Sequence, residues 1–393
     1  MNSIPTLKQL FDGILADLEA EYGISISLFG KVALRATAAV QAGKLKLLYL
    51  VVGFVQKNIF VDTADPEALG GTLERFGRIK LNRNPFQPQA GKYDIIVTGE
   101  IGAVIPASTT FKSDDDSLSP GFLFILDNAY TMVTGSDVIN VRSLTAGLSA
   151  QLADDDTLTA TQPIALVDST ATVDSEIVQP LAGETIEEYR AKIKQAFQLE
   201  PQGGAATDYR LWSYDVQGVR QSYPYAKSGA PDVIDVFVES TIEDSTDGRG
   251  TPSSLMLDAV REVIEFDPDT TQATNDRGRR PLGVYAVNCL AVTPKSVDIE
   301  IVGYGNLTAD IQAAIGTALE DMLFKMRPFV AGCDVLADKN DIIDIYRVSF
   351  AIISAVPGSL FTGINLTIDG TPLTTYQFIL GNIGYINSIT YTP

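Results

Sequence analysis

The apolar positions of the first eighty residues recur at helical spacing. Ile4, Leu7, Leu10, Phe11, Ile14, Leu15 and Leu18 lie three or four apart, which places them on one helical stripe. Gly23 closes that segment. A second helical stretch covers 28–60, rich in Ala, Leu and Val, with Arg35, Lys44 and Lys46 among them. A third is expected to begin at 62–66, where Thr63 or Asp65 suits the cap and Pro66 the first turn, and to end near Gly77. Three such helices make a thin core. Two readings stand: an arm that buries its stripe against something else, and a self-contained three-helix bundle. The most apolar window, 47–55, is far shorter than the roughly 20 residues that span a bilayer. With Lys44, Lys46 and Lys57 around it, this window is expected to be a buried helix.

From Tyr93 the period shortens. Apolar or alternating runs at 93–98, 103–105, 109–111, 122–126, 130–133 and 138–144 are separated by Gly99, Gly102, Pro106, Gly121, Asn128, Gly135 and Gly147. This predicts a small all-β module that continues to about Val178.

At Gly183 helical spacing returns. The run EEYRAKIKQAF puts Tyr189, Ile193 and Phe197 on one face. PQGG at 201–204 breaks it, and ATDYRLWSYDV starts another helix with Thr207 or Asp208 near its N-terminus. Strands follow at 219–225 and 233–240, a helix at 255–266, strands at 284–292 and 297–302, and a helix at 307–324. That order predicts an α+β layer with helices on one sheet face. The tail carries a helix near 341–350 and short strands in NLTIDG and QFILGNIGYINSITY. The expected fold class is α+β and multidomain. It comprises a helical arm (1–90), an all-β module (91–182), central helices leading into an α+β domain (183–330) and a short mixed C-terminal segment (331–393).

Composition narrows the function. The 393 residues include 49 acidic and 29 basic side chains and no histidine, for a formal charge of −20. Phosphate binding needs a basic footprint, so nucleic acid and anionic lipid are not the expected partners. Without histidine there is no Ser-His-Asp triad, no Cys-His pair and no histidine-ligated metal. Cys289 and Cys333 are too few for a disulfide framework or a four-cysteine zinc site, and are read as buried thiols. The start, MNSIPTLKQLFDG, lacks a basic region followed by an apolar run, so a chain made in a reducing cytoplasm without membrane insertion is expected.

Few residues suggest chemistry. Asp114–Asp116 and Asp154–Asp156 are consecutive carboxylates that point in different directions, which suits solvated loops better than a paired acid site. Asp244, Asp247 and Gly248 form an acidic turn that fails the calcium-loop pattern. Gly203-Gly204 and the Gly248–Pro252 run match no phosphate-binding fingerprint and read as sharp turns. Tyr209 and Trp212 share a helical face and read as core. Arg277, Arg279 and Arg280 form one basic cluster, read either as a solvated loop or as a salt-bridging contact to the acidic face of a neighbouring copy. No catalytic residue, metal site or cofactor is expected.

Three stretches together resemble the baseplate J-like proteins of contractile phage tails. They are GEIGAVIPASTTFKS at 99–113, GETIEEYRAKIKQAFQLEPQGGAATDYRLWSYDVQGV at 183–219, and RRPLGVYAVNCLAVTPKSVDIEI at 279–301. The first departs from the family by carrying Ala107-Ser108 near the usual glycine. The resemblance spans about 62–329. It implies a non-enzymatic wedge subunit that joins neighbouring wedges into a ring around the hub and rearranges to release sheath contraction. Other wedge proteins, neighbouring copies, and hub and sheath-proximal proteins are then the expected partners, and the virion tail is the location. On that reading Leu7, Leu10, Phe11, Ile14 and Leu18 form a partner-facing stripe. A phage-like injection particle would use the same architecture. Two other classes compete: an adhesin or receptor-binding tail protein, and a histidine-free glycosidase or depolymerase working through two carboxylates.

Overall fold

The computed structural model describes residues 4–22, 28–199, 203–305 and 307–392. It confirms an α+β, multidomain architecture. Its residues group into two compact units, Met1–Asn84 with Tyr189–Gln195, and Pro85–Glu188 with Ala196–Pro393.

The first unit is helical: α1 (Leu7–Tyr22), α2 (Leu28–Lys57), α3 (Leu73–Lys80) and the middle of α4 (Ile186–Gln198). Thr6 and Gln9 form a capping box at the start of α1. The Thr6 hydroxyl accepts from the Gln9 N–H at 3.2 Å, and the Gln9 carbonyl Oε1 accepts from the Thr6 N–H at 2.8 Å. α1 lies along α2. Ala38 and Ala42 of α2 are fully buried, and such small side chains permit a close helix approach. The expected closure of α1 at Gly23 lies outside the described residues. The third predicted helix is split. Pro66 precedes a 3-10 turn at Glu67–Leu69, α3 begins after Thr72, and neither Thr63 nor Asp65 caps it. The Thr63 hydroxyl instead donates to the Lys57 carbonyl, and Asp65 pairs with the Lys57 ammonium.

α4 anchors on α3 through Tyr189, which is fully buried and donates its hydroxyl to the Arg83 carbonyl at 2.6 Å. Gly77 makes room: a Cβ there would lie 1.8 Å from the Tyr189 hydroxyl. Arg190 donates to the carbonyls of Val61 and Ala64 at 2.7 and 2.8 Å. Tyr189 and Ile193 are buried as their spacing predicts, but Phe197 is 43% exposed and Ala196 takes the inward position.

The second unit opens with eight strands: β1 (Lys92–Gly99), β2 (Val104–Ile105), β3 (Thr110–Ser113), β4 (Leu123–Ile125), β5 (Tyr130–Thr131), β6 (Ser136–Ser143), β7 (Thr157–Ala160) and β8 (Val167–Val178). Six of them close a barrel in the order β1-β6-β4-β3-β7-β8. Alternation does the work: Tyr93, Ile95 and Val97 on β1 and Ile139 and Val141 on β6 point inward. Closure removes the edges that a small sheet would expose.

Beyond α4 come α5 (Ala206–Ser213), β9 (Val219–Lys227), β10 (Ala230–Ser240), α6 (Ser254–Glu265) and β11 (Ala286–Ala291). β10 pairs antiparallel with β9 and parallel with β11, with α6 as the crossover. Ser253 caps α6 by accepting from the Met256 N–H at 3.1 Å, and Met256, Val260 and Ile264 form its buried stripe.

The remainder is β12 (Thr293–Val302), α7 (Ala309–Phe324), β13 (Ile342–Asp344), α8 (Ile345–Ala355), β14 (Gly363–Ile368), β15 (Thr371–Leu373), β16 (Thr375–Gln377) and β17 (Asn382–Thr392). Its main sheet runs β15-β14-β12-β17. Its core joins Val297, Ile299 and Ile301 to Ile315 and Leu319 of α7 and Ile352 of α8. Two expectations change here. The predicted single layer is two sheets, because the chain crosses from one to the other at Val292, between β11 and β12. The boundary at 330 also dissolves: β12 pairs with β14 and β17, so the tail supplies most of the last sheet. Pairing over such sequence distances leaves no local signal.

Candidate interaction surfaces

α2 is the most exposed apolar element. Leu47, Leu48, Val51, Val52 and Val55 are each more than half exposed, from 53 to 65%. The window 47–55 is therefore not the buried helix its composition predicts. Lys31, Arg35, Lys44, Lys46 and Lys57 lie on α2, which contains no Asp or Glu. The segment Lys31–Lys57 is long and apolar enough to cross a membrane by length and composition.

The α1 stripe is partly used within the chain. Leu10, Phe11, Ile14 and Leu18 are half-buried, while Leu7 remains 53% exposed. Near the start of α1 the Lys46 ammonium donates to the Pro5 carbonyl at 2.9 Å, and Ile4 sits against Gly53. The larger free apolar surface thus belongs to α2, and four of the five α1 residues are already half-buried within the chain.

The arginine cluster turns inward. Arg279 pairs with Asp215 at 2.7 Å and Asp267 at 2.9 Å. Arg280 pairs with Glu265 at 2.9 Å, and Arg277 donates to the Asp267 carbonyl at 2.8 Å. The loop carries arginines back onto acids at the end of α6 and after α5, so its charge is largely neutralised within the chain.

The remaining candidates hold loops in shape. Asp156 accepts from the Leu118 N–H at 3.0 Å, and Asp114 from the Thr159 hydroxyl at 2.8 Å, so the two acidic triplets brace adjoining barrel loops. Asp244 is buried, which raises its pKa, and it accepts from the Ala182 N–H at 2.8 Å and the Thr241 hydroxyl at 2.9 Å. Asp247 closes a turn on Arg249 and Thr251. No group of acids or cysteines among the described residues has metal-ligand geometry. Burial pushes both thiols up to about 11, which keeps them unreactive at neutral pH.

The motif residues build the fold. Pro201 and Gln202 of the predicted PQGG break lie outside the described residues. Gly204 has φ +110°, and a Cβ there would meet Pro281 at 2.6 Å, so the second and third motifs touch. Asp208 accepts from the Gly204 N–H at 2.5 Å, which ties α5 to that turn. Tyr209 and Trp212 stack edge-to-face at 5.3 Å inside the core. In the first motif Ser108 has φ +64°, the left-handed region that favours glycine.

One buried constellation had no sequence signal. Glu239 on β10 is fully buried, yet pairs with Arg220 at 2.6 Å and Arg327 at 2.9 Å and accepts from the Tyr223 hydroxyl at 2.5 Å. Burial alone would raise its pKa, but the two guanidinium groups outweigh burial and hold it below the usual carboxylate value. Nearby, Arg210 is 1% exposed and grips Asp334 through two N–H groups at 2.5 and 3.3 Å. These charges come from β9, β10, α5 and the segment after α7, far apart in sequence.

No family model and no curated protein matches the chain. Among solved structures it is similar to a chain in the cryo-EM structure of the anti-feeding prophage (AFP) baseplate, sixfold symmetrised. Identity is 11%, coverage is 95% of this chain and 89% of that chain, and the TM-score is 0.41. That likeness is too distant to define a family or a role.

Proposed function

We propose that the chain is a non-enzymatic structural subunit of a contractile-tail or injection-particle baseplate. In this reading it occupies the wedge and belongs with the baseplate J-like proteins its motifs resemble. The observation that carries the reading is the exposed face of α2. A soluble monomer rarely leaves a contiguous apolar stripe of this kind open, because its burial is worth roughly 25 cal/mol per Å². A helix from a neighbouring wedge protein covers it, with Leu48, Val51 and Val55 as anchors at helical spacing. The motif residues support the reading by organising turns and helix packing, not a reaction centre. Ser108 adds to it, since its backbone keeps the turn where the family carries glycine.

Affinity capture of the tagged chain from its native producer, under conditions that preserve particles, tests the proposal. Co-purification with sheath, tube and a second wedge protein is expected. Recovery of the chain alone would overturn it and bring glycan binding and glycan hydrolysis forward as the assays to run.

A second reading rests on α2 having five cations, no acid and an apolar run: association with an anionic lipid surface. Flotation of the purified full chain with vesicles of phosphatidylcholine and phosphatidylserine separates the two. No flotation at low salt is expected on the wedge reading; salt-sensitive flotation favours the lipid reading.

A further inference from the structure

The sheet β11-β10-β9 and the sheet β15-β14-β12-β17 are linked along the chain by Val292 alone. In space they are linked by the strap 325–334, which leaves the end of α7 and runs past β9, and by direct contacts in which Phe237 of β10 lies against Gly381 and Arg249 stacks on the Tyr385 ring of β17 at 3.8 Å. Glu239 takes donors from both sides: Arg220 and Tyr223 from β9, and Arg327 from the strap. Arg327 donates its other N–H groups to the carbonyls of Leu323 and Met326, at 3.0 and 2.8 Å, and so fastens the end of α7 as well. Arg220 stacks on the Phe324 ring at 3.6 Å. At the far end of the strap Arg210 holds Asp334, and the Tyr225 hydroxyl donates to the Phe329 carbonyl at 3.1 Å. The apolar contact between these ends has Tyr223, Val292, Val330 and Ile383 as its buried members, with Ala206, Tyr225, Phe237 and Cys333 packed around them.

We propose that this strap is a domain lock keyed by Glu239. While the carboxylate is ionised and paired, the two sheets move as one body. When it is removed, Arg220 and Arg327 face each other as like charges without their shared carboxylate and drive the strap off β9. Each sheet keeps its own core, the central one around Val236, Val238 and Val260, the C-terminal one around Ile299, Ile315 and Leu319. The strap therefore loosens without melting either sheet.

Hydrogen exchange of the full chain read by mass spectrometry, wild type against Glu239→Gln, tests the lock. Strap amides are expected to exchange about a hundredfold faster, with β10 and β12 amides within about twofold of wild type. Unchanged strap exchange would overturn the proposal. So would equal acceleration of strap and strands, which would make Glu239 a support of the whole fold. Should Glu239→Gln not fold, Tyr223→Phe removes one neutral donor and keeps both ion pairs. Strap exchange about fivefold faster over unchanged strands then supports the lock, and no selective change overturns it.

Discussion

α2 and the Glu239 junction invert the usual partition of side chains in opposite ways. α2 leaves Leu47, Leu48, Val51, Val52 and Val55 outside. The junction places Glu239 and Arg210 inside, at 0 and 1% exposure. An exposed apolar face loses nothing when it is changed in the isolated chain, because its gain comes only on docking. A buried charge is the reverse: its desolvation is already incurred, and only its partners offset it. Free energy stored at the junction is intramolecular; free energy latent on α2 is intermolecular. A variant at one site should therefore be read in unfolding, and at the other in assembly.

The largest effect is expected at the junction. Glu239→Leu leaves two guanidinium groups without their acceptor and should cost about 3–5 kcal/mol of coupling between the sheets. Urea unfolding followed by two probes, one in each sheet, should show one shared transition becoming two. Acid should act in the same direction. The folded pKa of Glu239 is depressed, so its contribution is complete above the ordinary carboxylate range near 4.3. It is then lost as pH falls through the lower folded value. The wild-type advantage over Glu239→Gln should thus be flat from about pH 5 to 7 and shrink below about pH 4. An advantage that grows on acidification would contradict the pairing.

Next comes Gly77→Ala, which sets a methyl against the Tyr189 hydroxyl and should cost about 1–3 kcal/mol, seen as a lower thermal midpoint. Ser108→Gly relieves a left-handed residue on an exposed turn and should stabilise the barrel by about 1 kcal/mol. Neutrality there would mean the serine side chain compensates for its backbone.

The smallest effect on folding belongs to α2. Leu48→Asp with Val51→Asp should shift stability by no more than about 0.5 kcal/mol, as for other surface changes. The same variant should abolish capture of the wedge partner. Phe11→Asp with Ile14→Asp, by contrast, should also loosen α1 from α2, since both residues are half-buried. Loss of capture with α1 alone, and none with α2, would return the docking face to the α1 stripe.

Much of the fold was legible because local patterns govern it. Alternation located β1 and β6, and punctuation by Gly99, Gly135 and Gly147 located the turns beside them. Phe197 misled because helical spacing defines a stripe but not its width, and Ala196 occupied the inward edge. The partners of the arginine cluster were hidden for a related reason. Charge is visible in sequence, but Asp215 lies 64 residues from Arg279 and became its partner only through folding.

From the sequence alone came the element order, the α+β class, the all-β module and the lack of histidine chemistry. These follow from residue type and spacing within a few turns of chain. Tertiary structure alone decided that the barrel closes, that β11 and β12 enter different sheets, that the last residues complete the C-terminal sheet, and that α2 rather than α1 offers the broad apolar face. It alone brought Glu239, Arg220, Arg327 and Tyr223 together. The division has one physical cause: periodicity is a property of neighbours along the chain, whereas closure, sheet membership, exposure and charge pairing depend on segments whose meeting no local pattern encodes.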